Sequence, residues 1–129
     1  MIVRILHLIP AYAPAEFPTG PPQQVHRLAR ELLAGGVDTR VITTNGNGPE
    51  TLDVAAGRWI EYEGVPVYYG RRIPRTVDLS WDAWRAIVRE AGATDLIHVT
   101  GIFSWLNLAA AALARRRGVP VVVSPRGSL

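Results

Sequence analysis

The chain has 129 residues, of which 48% are hydrophobic and 19% charged, with a net charge of +3. That length suits one domain with a real core, and that composition excludes a disordered chain. There is no cysteine, so disulfides and thiolate metal sites are excluded, which fits a reducing cytosol. All fourteen basic side chains are arginine, which reads first as compositional bias, and the mild net charge gives little ground for nucleic-acid binding. No apolar run approaches the roughly 18 residues of a membrane span, and the N-terminus lacks a signal-peptide pattern.

Ile2–Ile9 is an apolar, β-branched run that reads as a buried strand. Pro22–Leu33 places Val25, Leu28, Ala29, Leu32 and Leu33 at helical spacing. Between them, Pro10–Pro21 is about twice as long as the usual strand-to-helix connection, and it carries Tyr12, Glu16, Phe17, Thr19 and Gly20. A loop leaving the C-terminal end of a central strand, with Gly20 ahead of a helix, sits where open α/β sheets bind ligands.

Gly35-Gly36 stops the first helix and Val37–Thr44 reads as a second strand. Asn45-Gly46-Asn47-Gly48-Pro49 reads as loop. Arg58–Tyr62 and Val65–Tyr69, around Glu63-Gly64, form an expected hairpin. Arg71–Asp78 is a linker with Arg71, Arg72 and Arg75, read either as solvated or as facing an anionic lipid or phosphorylated acceptor. Ser80 caps a helix over Trp81–Ala91, which Gly92 ends. Asp95–Val99 is a third buried strand. Ser104 caps a helix over Trp105–Arg117 that Gly118 terminates, and Val119–Val123 is a fourth core strand.

Alternation of strand and helix implies right-handed crossovers, hence an α/β, Rossmann-like parallel sheet with flanking helices. The expected strand order places Arg58–Tyr69, Val37–Thr44, Ile2–Ile9, Asp95–Val99 and Val119–Val123 side by side. In the Trp105–Ala114 stretch Leu106, Ala109, Ala110 and Leu113 form one stripe, while Leu108 and Ala112 fall on another. This predicts an uncovered apolar face or self-association.

No G-x-G-x-x-G follows the first strand, and the chain holds neither a P-loop nor a G-x-S-x-G elbow. His7, His26 and His98 show no metal-ligand spacing with acidic partners, so neither metal nor cofactor is expected. What remains are three loops after core strands: Pro10–Pro21, Thr100-Gly101-Ile102-Phe103, and Ser124-Pro125-Arg126-Gly127. On parallel strands they emerge at one edge and make one cleft.

The opening RILHLIPAYAPAEFPTGPPQQVHRLARELLAGGVDTRVITT and the later DLIHVTGIFSWLNLAAAALARRRGVPVVVSPRGSL, in that order, resemble the N-terminal half of family-four retaining glycosyltransferases of GT-B architecture. The resemblance implies two Rossmann-like domains facing across a cleft. The N-terminal one shapes the acceptor site and covers the donor phosphates, and the C-terminal one binds the nucleotide sugar. It covers essentially the whole chain, which ends at Pro125-Arg126-Gly127-Ser128-Leu129, so the donor domain and the last elements of this one are expected to be absent.

By that resemblance Gly20 matches the second glycine of the family's loop pair, with Thr19 in place of the first. His98 matches the first histidine of an H-x-H segment, whose second position, the family's ligand contact, is here Thr100. His98 is read as a core histidine or a site residue. Arg126, between Pro125 and Gly127, is the charged candidate for a phosphate or acidic acceptor, or else an arginine lying along the surface. Arg115-Arg116-Arg117 is read as a solvated helix end that complements the macrodipole.

The implied cleft therefore comprises Thr19, Gly20, Thr100, Gly101, Arg126 and Gly127, with Tyr12, Glu16 and Phe17 as a candidate acceptor loop and no catalytic residue assigned. The implied partners are a nucleotide-sugar donor and a sugar or lipid-linked acceptor, bound with a complementary C-terminal domain and without metal. A cytoplasmic setting, at the inner membrane face or free of it, goes with that reading. A non-catalytic sugar- or anion-binding module and a degenerate product are the other two readings.

Overall fold

The computed structural model describes residues 2–15, 21–74, 76, 79–101 and 105–124. Strand β1 (Arg4–Ala11) leads to helix α1 (Pro21–Ala34) and strand β2 (Asp38–Thr44). A small hairpin follows, β3 (Gly46–Asn47) and β4 (Glu50–Thr51), then a larger one, β5 (Trp59–Tyr62) and β6 (Val65–Gly70). Helix α2 (Trp81–Ala91), strand β7 (Leu96–Thr100), helix α3 (Trp105–Arg117) and strand β8 (Val121–Ser124) complete the described chain.

The main sheet has the order β5-β6-β2-β1-β7-β8. Every neighbouring pair is parallel except β5 with β6, so the sheet is mixed at one edge and parallel elsewhere. The expected order holds, with β6 as the hairpin arm that joins the sheet. β7 lies directly beside β1, with His7 opposite His98 and Leu8 opposite Val99. The register between β1 and β2 shifts between Leu8 and Ala11, where Pro10 has no N–H to give the ladder. Thr44 Oγ1 donates to Pro10 O at 2.7 Å and secures the distorted stretch.

Strand alternation splits the core in two. Leu6, Leu8, Ile42, Tyr68, Ile97 and Val99 face α2 and α3, meeting Ala83, Ile87, Leu106 and Ala110. Ile9, Val41, Val67 and Tyr69 face α1, meeting Val25 and Ala29. Alternate side chains of one strand thus serve opposite layers.

The caps follow local chemistry. Pro21 and Pro22 open α1, where missing N–H groups cost nothing. Its end is a reverse turn in which Val37 N donates to Leu32 O at 2.9 Å and Gly36 N to Leu33 O at 3.0 Å, with Gly36 at φ 87°. Ser80 caps α2 as expected, accepting from Ala83 N at 3.2 Å. Ser104, the expected cap of α3, lies outside the described residues.

One expectation needs correcting. The Asn45–Pro49 stretch is not all loop, because Gly46 and Asn47 pair with Thr51 and Glu50. Arg72 organises this hairpin from a distance, with Nη1 donating to Gly48 O at 2.8 Å and Nη2 to Glu50 O at 2.9 Å. Of the linker arginines, Arg72 is therefore structural and Arg71 is paired with Asp82 at 3.1 Å, while Arg75 lies outside the described residues.

Candidate functional site

In this sheet the chain leaves β1 toward β2 on one side, while β7 and β8 lie on the other. The point between β1 and β7 is therefore the topological switch, and open α/β sheets hold ligands outside the C-terminal strand ends there. The parallel strands β1, β7 and β8 all end at that edge. Of the candidate residues, the structure describes Tyr12, His98, Thr100 and Gly101. Glu16, Phe17, Thr19, Gly20, Arg126 and Gly127 lie outside the described residues.

Tyr12 is not an open acceptor-loop residue. Its side chain is fully buried against the α1 layer, as are its neighbours Ala13 and Ala15. Glu63 can only accept, so His26 Nε2 donates to Glu63 Oε1 at 2.7 Å. His26 Nδ1 then accepts from the Tyr12 hydroxyl at 2.5 Å. The Tyr69 hydroxyl donates to Ala13 O, and Gln23 Nε2 donates to Ala15 O at 2.9 Å. Burial, and after it the neighbouring phenol of Tyr69, pushes the Tyr12 hydroxyl far above the ordinary tyrosine range, and burial does the same to Tyr69. Both are hydrogen-bonding phenols with no part in proton transfer near neutrality. The first half of the loop is thus a packed plug. The sequence hid this because Tyr69 and Glu63 are more than fifty residues away.

His98 is buried and bonded on both sides. Its Nδ1 faces His7 Nδ1 at 2.9 Å and its Nε2 faces Ser124 Oγ at 2.7 Å. The rings meet edge to face. Burial, reinforced by His98, lowers the His7 pKa from 6.5 to about 3, so His7 is neutral. His7 Nε2 is buried and has no hydrogen-bond partner among the described residues. Orphaned N–H groups are rarer than orphaned lone pairs, so His7 is assigned to donate through Nδ1. His98 then donates through Nε2 to Ser124. This chain of three side chains ties β1, β7 and β8 together beneath the switch point, and no sequence spacing pointed to His7.

The Thr100-Gly101 turn is equally committed. Asn107 Nδ2 donates to Thr100 O at 2.8 Å and to Gly101 O at 2.9 Å, and Gly101 N donates to Ser124 O at 2.9 Å. Gly101 sits at φ 91°, a left-handed conformation that favours glycine. Its amide is therefore already used within the fold and is not a free donor for phosphate. Thr100 Oγ1 is buried and has no hydrogen-bond partner among the described residues, so it is a polar group near the switch point with capacity left to engage a ligand or the loop above it. Asn107, in the first turns of α3, was not anticipated. An asparagine inside a helix that starts at a sheet edge was its only signal.

Among the described residues no group of three His, Asp, Glu or Cys could hold a metal ion, and no helix is long and apolar enough to cross a membrane.

No curated protein and no solved structure matches the chain. A family model described as a glycosyl transferase 4-like domain matches residues 19–129, which takes in α1, the whole sheet except β1, and all three helices. The α/β layering, the strand order with its switch between β1 and β7, and this match agree: the chain belongs to the glycosyl transferase 4-like domain family.

Proposed function

We propose that this domain is the acceptor-side wall of a retaining, GT-B glycosyltransferase cleft, which passes a sugar from a nucleotide-sugar donor to a sugar or lipid-linked acceptor. The donor-binding wall belongs to a second domain, on the same or another polypeptide. The observation that carries this reading is the switch point, with the parallel strands β1, β7 and β8 ending at one sheet edge. The chemistry needs the departing diphosphate stabilised by helix N-termini and cations. Gly20 immediately precedes the start of α1, and Arg126 lies two residues past β8, so both are close in sequence to that edge. Thr100 adds a hydroxyl that can orient a sugar hydroxyl or a phosphate oxygen, and its low basicity rules out a general-base role near pH 7.

One wall cannot close around a donor. Water keeps competing for each polar contact, and the preorganised field that lowers the barrier is not assembled. The 129-residue chain alone is therefore expected to show no transfer or hydrolysis of nucleotide sugars, and to bind phosphate or a sugar phosphate no better than about millimolar. Arg126→Ala is expected to abolish that weak binding. Turnover by the isolated chain would refute the two-wall reading. Anion binding unchanged in Arg126→Ala would remove Arg126 from the site, and tight sugar binding without turnover in the presence of a donor domain would favour a non-catalytic binding module.

A further inference from the structure

Helices α2 and α3 lie in parallel over one face of the sheet, and their outward surface divides by chemistry. At their N-terminal ends an apolar groove of about 260 Å³ opens between them, lined by Leu79, Ser80, Trp81, Trp84, Leu106 and Ala109. Around it, Trp81 is 68% exposed, Leu108 57% and Leu79 39%. Further along, the outward positions become basic. Trp81, Arg85 and Arg89 recur at four-residue intervals on α2, and Leu108, Ala112 and Arg116 do so on α3, so each forms one stripe. All six are exposed, as are Arg115 and Arg117. Both stripes run from apolar to basic in the same direction.

Among the described residues no carboxylate answers Arg89, Arg115 or Arg116, while Arg85 meets Asp82. α3 has no acidic residue, and the acids of α2 are turned inward and already paired. Asp82 is 18% exposed and holds Arg71 at 3.1 Å, with Arg85 at 3.6 Å. Glu90 is 15% exposed and meets Arg40 at 3.4 Å. Arg89, Arg115 and Arg116 have no ion-pair partner among the described residues.

We propose that this α2–α3 surface docks the domain on an anionic lipid bilayer, with Trp81, Leu79 and Leu108 entering the interface and the arginine stripes lying on the headgroups. Of a bilayer, a nucleic acid and a second copy of the chain, the bilayer is the one that suits both halves. Nucleic acid would engage the arginines and leave the tryptophan and leucines in water. A second copy seated on the apolar half would leave the arginine stripes without an anionic partner. A bilayer surface supplies an apolar boundary that tryptophan prefers and a negative potential for the guanidiniums. The surface is independent of sugar transfer, so its test stands or falls without it.

The test is co-sedimentation of the 129-residue chain with vesicles of phosphatidylcholine alone or of phosphatidylcholine and phosphatidylglycerol in equal parts, with tryptophan emission read in parallel. Binding is expected only to the anionic vesicles, with a blue-shifted emission, and weakening as salt rises. Each of Arg89→Gln and Arg116→Gln is expected to lower binding about fivefold, and Trp81→Ala about tenfold. These side chains are exposed, so circular dichroism of the variants should match the wild type. Equal binding to neutral vesicles, or binding unchanged in Trp81→Ala, would overturn the proposal. So would full competition by soluble glycerol phosphate, tighter binding to duplex DNA than to vesicles, or a dimer that Trp81→Ala dissolves and that binds no vesicle.

Discussion

At the scale of single residues, the His7–His98–Ser124 chain has the clearest energetic signature. His7 is neutral in the folded state down to about pH 3, because burial penalises its charged form, whereas its unfolded pKa is 6.5. The unfolded chain therefore binds one proton more than the folded chain between those values. The stability this group confers is fully present above pH 6.5 and is lost as pH falls toward 3, at up to about 1.4 kcal/mol per pH unit. Replacing His7 by Phe is expected to remove this contribution to the slope. It should also cost about 1–3 kcal/mol at pH 7, since His98 Nδ1 loses its partner in a buried place. Urea unfolding of both proteins at pH 7, 5.5 and 4.5 checks this. Parallel pH profiles would show that His7 is not the group titrating on unfolding.

At the scale of elements, the junction between β6 and α2 is a close approach. A Cβ on Gly70 would lie 2.3 Å from Ser80 Oγ, 2.7 Å from Ala83 N and 2.8 Å from Ala83 Cβ. The last residue of the strand thus abuts the cap of the following helix, and backbone cannot yield as a flexible side chain can. Gly70→Ala is expected to cost about 1–3 kcal/mol by overpacking, and Ser80→Ala about 1 kcal/mol by loss of the cap. The two should not add, because displacing the cap already forfeits part of its hydrogen bond. Thermal unfolding of both single variants and the double variant measures this, and full additivity would mean that the helix start does not move. The elements themselves were legible wherever their signals were local. Apolar runs marked β1, β2, β7 and β8, and Ser80, Gly36 and Gly118 marked helix ends. What escaped depended on contacts distant in sequence. The β3–β4 hairpin is held by Arg72, more than twenty residues away, and Tyr12 is drawn into the core by His26 and the β5–β6 hairpin. A loop position alone could not distinguish a ligand contact from a packed plug.

At the scale of the whole molecule, the sheet is unequally anchored, and the candidate cleft spans that inequality. β1 lies between β2 and β7 with both faces covered, and its N-terminal end is locked by Arg4, whose backbone N–H meets Asp95 Oδ2 at 2.8 Å and whose Nε meets Asp38 Oδ2 at 2.7 Å. Among the described residues β8 is bonded on one edge only, and Val122 and Val123, on opposite faces, are 48% and 49% exposed. Local opening should therefore be far easier at β8 than at β1, β2 or β7. Tyr12 and Thr100 hang from the well-anchored strands, while Arg126 follows the weakly anchored one. Amide exchange is expected to be slowest in β1, β2 and β7 and at least about tenfold faster in β8, each tenfold corresponding to about 1.4 kcal/mol of opening free energy. A ligand or partner domain that bridges the cleft would restrain β8 most, because a segment that is open more often has more exchange to lose on binding. Exchange measured with and without a phosphate-bearing sugar and a donor domain should show the greatest slowing at Val121–Ser124. Protection of β8 equal to that of β1 in the isolated chain would mean that something in the molecule already covers that edge. Slowing spread evenly over the sheet would mean the ligand acts by stabilising the fold as a whole and not by closing the cleft.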